Sequence, residues 1–143
     1  MKQPVVRDAK RGDILDLAGL MSELGYPVEP EVLWSRVERM ASEGHRTFVA
    51  EVDGRVAGFA GCSALAHYGG DASVCWVAAL SVSSHFRRHG VGRILIEAIE
   101  RWAIENGMDE IRVNTAEPRV DAHAFYEACG FRRAGYRFKK SLS

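Results

Sequence analysis

The sequence predicts an α/β fold: a mixed, mostly antiparallel sheet, splayed near its centre, with helices on both faces. Three observations carry this expectation. The first is a nearly unbroken apolar run from Val74 to Val82, the pattern of a strand covered on both faces. The second is the helical stripe that follows, Val91, Ile94, Leu95, Ala98, Ile99 and Trp102, leading to a short strand-like stretch, Ile111-Arg112-Val113-Asn114. A helix between two strands implies a parallel, right-handed crossover, and such a pair can part below the turn to leave a slot. The third is Asp53-Gly54 between two β-rich arms within residues 47–63, a two-residue hairpin signal.

The remaining elements follow in order. Val5-Val6-Arg7 opens as a short strand. Asp13 is placed to cap a helix with Ile14, Leu17, Met21 and Leu24 on one face, closed by Gly25. Pro30 starts a second helix, where its missing N–H does no harm, and Leu33, Val37, Met40 and Ala41 form its inner face up to Gly44. Trp34 lies off that stripe, either half-buried against a neighbour or lining a substrate mouth. Gly107 ends the central helix. Asp121 caps a short helix holding Ala124, Phe125 and Ala128, Gly130 breaks it, and residues 131–140 alternate as a final strand. There are no repeats and no linker, so residues 1–143 are expected to form a single domain.

Composition narrows the function. Nineteen Lys and Arg balance nineteen Asp and Glu, so no global field points to nucleic acid or an acidic membrane surface. No apolar run approaches the roughly 20 residues of a membrane helix, and no signal-peptide core follows Met1-Lys2-Gln3-Pro4. Cys62, Cys75 and Cys129 are odd in number and lack metal-ligand spacing, which reads as unpaired thiols in a reducing cytoplasm. Five scattered histidines give no metal site.

The chemistry-bearing stretch is Arg87-Arg88-His89-Gly90-Val91-Gly92-Arg93, between the long strand and the central helix. A helix N-terminus presents unbonded N–H groups and the positive end of a dipole. Two glycines let a ligand approach that backbone, and cationic side chains surround it. Such a turn suits an anion, above all a pyrophosphate. Neither a Gly-Lys-Ser/Thr phosphate loop nor a Gly-x-Gly-x-x-Gly dinucleotide motif is present.

A second motif lies downstream: Ala122-His123-Ala124-Phe125-Tyr126-Glu127-Ala128-Cys129-Gly130-Phe131, a short helix bearing a tyrosine and closed by Gly-Phe. The spacing Arg87-x-x-Gly90-x-Gly92 after an apolar strand, with this motif at the expected distance and order, resembles the GCN5-related N-acetyltransferase (GNAT) superfamily over essentially the whole chain. The resemblance implies the acyl-CoA N-acyltransferase fold, acetyl-CoA as co-substrate, a primary amine acceptor, no metal and a homodimer. It implies that backbone groups near Leu80, Ser81 and Val82 pair with the pantetheine arm as an added strand would. Amides across Arg88, His89, Gly90, Val91, Gly92 and Arg93 would hold the pyrophosphate, with the Arg87 side chain alongside, and Tyr126 would stand near the thioester sulfur.

A small-molecule amine is the expected acceptor; a protein N-terminus or lysine is the alternative, and a non-catalytic acyl-CoA sensor the rival reading. The other reading of Tyr126 is a core aromatic with a satisfied hydroxyl. A phenol has a pKa of about 10 against about 8.5 for a thiol, so full proton transfer to the leaving thiolate is uphill by roughly 2 kcal/mol. Freeing the lone pair of a lysine-like amine at pH 7 costs roughly 4.6 kcal/mol. A base would help, yet residues 74–82 hold no carboxylate. The chain departs from its relatives at two further places. Asn114 stands where bacterial ribosomal-protein acetyltransferases carry Glu, and Arg119 where many relatives have Asn seven residues before the tyrosine. Glu117, Asp121 and His123 are the nearby base candidates, each also readable as a cap or a solvent-facing group.

Overall fold

The computed structural model describes residues 3–114, 120–135 and 138–142. Two compact units are distinguished, Met1–Arg112 and Val113–Ser143. The elements in chain order are β1 (Val5–Asp8), α1 (Ile14–Glu23), α2 (Pro30–Ser42), β2 (Arg46–Val52), β3 (Arg55–Leu65), β4 (Val74–Val82), α3 (Val91–Glu105), β5 (Ile111–Val113) and α4 (Val120–Ala128). The sheet is open, in the order β1-β2-β3-β4-β5. The pairings β1–β2, β2–β3 and β3–β4 are antiparallel. β4 reaches β5 only through α3, the long connection that parallel neighbours need.

The hairpin forms as its turn residues dictate. Asp53 and Gly54 take φ of 50° and 79°, the left-handed pair that matches the twist of the strands they join. Alternation along β3 then assigns the two faces. Phe59 belongs to the core cluster with Leu17 and Leu20 of α1, Leu33 of α2, Val49 and Val56. Its neighbour Gly58 faces the opposite way: a Cβ there would lie 3.0 Å from Val91 Cγ1 and 3.4 Å from Leu95 Cδ1 of α3. Helices therefore cover both faces, as expected. The same Cβ would lie 2.8 Å from the Ser81 carbonyl oxygen, so the glycine permits the close approach of β3 to β4 and to the start of α3. On α3, Leu95, Ile96 and Ile99 are fully buried, each worth about 2–3 kcal/mol of apolar burial.

Three details differ from the sequence expectation. Asp13 precedes α1, but no side-chain cap bond is made. Its carboxylate instead receives both Arg7 guanidinium nitrogens at 2.8 and 3.0 Å and the Lys10 N–H at 2.9 Å. Burial pushes this carboxyl up, but the Arg7 and Lys10 hydrogen bonds and the Arg7 charge outweigh it and hold it below the ordinary carboxylate value. Asp121 sits inside the first turn of α4 rather than at its cap, because the helix already starts at Val120. No described residue from 131 to 142 lies in a strand. Gly135 takes φ 70°, and Phe138 and Leu142 are 93% and 94% exposed, so these two apolar residues bury no face that would specify a register.

Candidate functional site

β4 leads into the site, and its burial changes along its length. Val74, Cys75 and Val77 are buried, Ala78 is exposed, and Ala79, Leu80 and Val82 are half-buried. The change coincides with a bulge. Gly61 pairs with Ala79 and Cys62 with Val77, leaving Ala78 as the extra residue. A bulge re-aims the strand beyond it, and here it also sets which backbone groups face outward. Ser83 N–H donates to Ala57 O at 2.8 Å, making Ala57–Ser83 a hydrogen-bonded pair. Such pairs alternate, so Ser81 opposite Phe59 turns its N–H and C=O toward β3. Leu80 and Val82, opposite Ala60 and Gly58, turn theirs to the other edge of β4. Of the three residues singled out here, two present backbone outward, and the third anchors the strand.

After Val82 the chain makes a short 3-10 turn, Ser84–Phe86, and enters α3. Ser83 Oγ accepts from His85 N–H at 3.3 Å, Phe86 is buried, and the Arg55 guanidinium stands 5.6 Å from its ring centre. Arg87, Arg88, His89 and Gly90 are exposed, Val91 and Gly92 are buried, and Arg93 is exposed again. Arg88 at φ 66° and Gly90 at φ 78° are both left-handed. The glycine is the N-cap of α3, no side chain caps it, and a Cβ there would meet nothing within 4 Å. Ile94 N–H makes the first intrahelical bond, to Gly90 O at 3.0 Å. The first amides of α3 thus lack an intrahelical partner, and two left-handed residues turn the chain into the helix.

Two side-chain contacts that the sequence does not announce hold this region. Ser81 Oγ donates to Leu20 O at 3.2 Å, and Glu23 Oε1 accepts from Ser84 N–H at 2.9 Å. Both tie the end of α1 to β4 and its exit, across 61 residues of sequence. His67 staples its own loop: Nδ1 accepts from Gly69 N–H at 3.2 Å and Nε2 lies 3.1 Å from Ala72 O. His85 is exposed.

In the second unit Tyr126 is half-buried on α4. Phe125 and Phe131 meet its ring edge-on at centroid distances of 5.2 and 5.5 Å, and Phe131 N–H donates to its carbonyl at 3.0 Å. Gly130 at φ 94° makes the reversal that brings Phe131 back, so the Gly-Phe closure fixes the orientation of the ring. Asp121 is exposed and His123 half-buried; Asn114 is exposed; Glu117 and Arg119 lie outside the described residues. Cys62 and Cys75 are fully buried, free, and hydrogen-bonded to each other. That bond and burial push the Cys62 thiol far up, keeping it protonated. Cys129 is half-buried.

An open mixed sheet covered by helices on both faces, with a helix N-terminus exposed at the end of its bulged strand, is the acyl-CoA N-acyltransferase fold. The family model described as acetyltransferase (GNAT) matches residues 14–131, and the chain belongs to this family: it is an acetyl-CoA-dependent N-acetyltransferase. An aminoglycoside N(6')-acetyltransferase type 1 of Stenotrophomonas maltophilia is 30% identical over 132 residues, covering 90% of this chain and 86% of its own. The enzyme of the same name from Salmonella typhimurium is 29% identical over 131 residues, covering 88% and 90%. Among solved structures, an aminoglycoside N-acetyltransferase in complex with CoA superimposes with a TM-score of 0.85 at 23% identity, covering 99% of this chain and 96% of the other.

Proposed function

We propose that the chain transfers the acetyl group of acetyl-CoA to a primary amine of a small molecule, by direct attack in a ternary complex. The observation that carries this reading is the exposed left-handed turn at Gly90, beside a strand whose Leu80 and Val82 turn their backbone away from β3. A diphosphate accepts hydrogen bonds from the amides of residues 88–93, with the Arg87 guanidinium alongside. The pantetheine amides pair with the outward groups of Leu80 and Val82 as an added strand would. Arg88 holds a non-glycine residue at positive φ, a strain of about 1 kcal/mol or more that such a role accounts for.

The amine nitrogen attacks the thioester carbonyl carbon, the C–N bond forms, and the C–S bond breaks. The ammonium proton passes to solvent or to a nearby base. Tyr126 donates a hydrogen bond to sulfur as negative charge grows there. Neither Cys62 nor Cys75 serves as an acyl carrier on this route: both are buried, and the Cys62 thiol is held protonated. Positioning and sulfur stabilisation supply the rate. The acceptor class is supported by the aminoglycoside acetyltransferases among the relatives. We place the reaction in the reducing cytoplasm, in keeping with the buried Cys62 and Cys75, which form no disulfide, and expect a homodimer on the family resemblance.

The test is a panel of amines, aminoglycosides and lysine peptides included, followed by release of free thiol from acetyl-CoA and by the mass of the acetylated product. Turnover of a small amine well above that of the peptides supports the reading. Release confined to the peptides moves the acceptor to protein. No amine-dependent release, with CoA still bound, makes the chain a sensor.

A further inference from the structure

We propose a role that rests on acetyl-CoA binding at the Gly90 turn: Glu23, the last residue of α1, is a positioning residue for the coenzyme. It lies outside both sequence motifs. In the proposed complex the outward backbone of Leu80 and Val82 meets the pantetheine arm, and the amides of residues 88–93 meet the diphosphate. Residues 83–87 fix how far apart these two sets of groups stand. Their only regular structure is the 3-10 turn Ser84–Phe86, too short to hold its own geometry. The position of the diphosphate amides relative to β4 therefore depends on what holds this turn.

Each N–H of the turn has a partner. Phe86 N–H donates to Ser83 O at 2.9 Å and His85 N–H to Ser83 Oγ at 3.3 Å, both within the segment. Ser84 N–H reaches outside it, to Glu23 Oε1 at 2.9 Å. A carboxylate that accepts from the first N–H of a turn acts as a cap, and here the cap comes from another element. A second bond runs beside it: the Ser81 hydroxyl, buried, donates to Leu20 O at 3.2 Å. Leu20 and Glu23 are one helical turn apart on α1, so the two bonds clamp its last turn at two points. That turn also receives the N–H groups of Leu24 and Gly25 at 3.0 Å each and of Tyr26 at 2.9 Å. The end of α1 and the coenzyme turn are thus linked, and whatever steadies one steadies the other. Charge gives the opposite sign. Glu23 is an anion at the approach to an anion's site, and its charge alone would weaken coenzyme binding. Its contact is exposed, so water can satisfy Ser84 N–H in its place, but water does not hold the turn against α1.

The test is calorimetric titration with CoA, beside hydrogen exchange at the end of α1. Glu23→Ala loses the acceptor and should bind CoA about three- to tenfold more weakly, with Tm lowered by less than about 4 °C. Glu23→Gln keeps an acceptor oxygen and drops the charge, so it should bind within about twofold of wild type or more tightly. Asp13→Asn loosens the opposite end of α1 and should leave CoA affinity within about twofold. By reciprocity, saturating CoA should slow exchange at the amides of Leu24, Gly25 and Tyr26 by about threefold or more in wild type, and not in Glu23→Ala. Unchanged or tighter binding by Glu23→Ala overturns the proposal, since the charge alone then acts. So does an equal loss in Glu23→Gln or in Asp13→Asn, or wild-type exchange at residues 24–26 that CoA leaves unchanged. A wild-type chain that binds no CoA overturns the coenzyme reading and this role with it. Wild-type binding with any of the earlier outcomes overturns the role of Glu23 alone.

Discussion

Replacing Gly90 separates the backbone strain of its turn from any role in holding the coenzyme. Its φ of 78° is left-handed, and a Cβ there meets no atom within 4 Å. A substitution therefore costs the fold only conformational strain, about 1–2 kcal/mol for Ala and less for Asn, which tolerates this region. In the proposed complex a side chain in the open space at Gly90 competes with the diphosphate for the amides of residues 88–93. Losing two charge-assisted N–H···O bonds, at about 1.5–3 kcal/mol each, removes about 3–6 kcal/mol of binding, or roughly 10²- to 10⁴-fold in Kd. Gly107 provides the control. It is also left-handed, at φ 75°, with nothing within 4 Å of its Cβ, but it follows the opposite end of α3. Gly90→Asn and Gly107→Asn should lower Tm by similar small amounts, up to about 4 °C. Only the first should lose CoA binding by calorimetry. A Gly90→Asn protein that binds CoA within about threefold of the Gly107→Asn protein would refute the reasoning.

Further outcomes follow from the same geometry. Tyr126→Phe should lower kcat by about 10²-fold, the lower range for a positioned proton donor, with the Kd for CoA nearly unchanged; steady-state kinetics on an amine found in the panel, beside calorimetry, reads both, and an unchanged kcat removes the tyrosine from the mechanism. Leu80→Pro deletes an N–H that faces away from β3, whereas Ser81→Pro deletes one in the β3 ladder. Denaturant titration should therefore show the larger loss of stability for Ser81→Pro, and CoA titration a clear loss of affinity for Leu80→Pro; the reverse order would mean that the register has been misread. Asp13→Asn removes the carboxylate held by Arg7 and Lys10 and should cost about 2–3 kcal/mol in urea unfolding. Because the folded-state pKa of Asp13 lies below its ordinary value, its contribution is full above about pH 4 and fades as pH falls through the lower folded value. The wild-type advantage over Asp13→Asn should shrink in acid, and an advantage that grows there would contradict the assignment.

Much of this architecture is legible locally. Val74 and Val82 bound β4 as the apolar run indicates, Pro30 opens α2 at its first position, and Asp53-Gly54 turns the hairpin. Each depends on neighbours a few residues away. The Gly90 turn is legible for the same reason, since a glycine N-cap after an apolar strand is a short-range signal. Less is legible wherever a distant chain decides. The bulge at Ala78 arises from pairing with β3, and the half-exposed second half of β4 follows from it rather than from its own apolar letters. Asp13 reads as a cap because helix starts favour Asp, but Arg7 on β1 competes for its oxygens and wins. The latches from Ser81 to Leu20 and from Glu23 to Ser84 have no signature, because each joins residues 61 positions apart and neither serine nor glutamate names its partner. Between residues 131 and 142 the alternation misleads where the apolar letters stay exposed, as Phe138 and Leu142 do.

A crystal structure with CoA bound bears most directly on the central claim. The diphosphate oxygens should lie about 2.9 Å from main-chain nitrogens of the turn at Gly90, with the pantetheine arm bonded to Leu80 and Val82 and its sulfur within reach of the Tyr126 hydroxyl. A diphosphate held elsewhere, or a sulfur remote from that hydroxyl, would contradict the account.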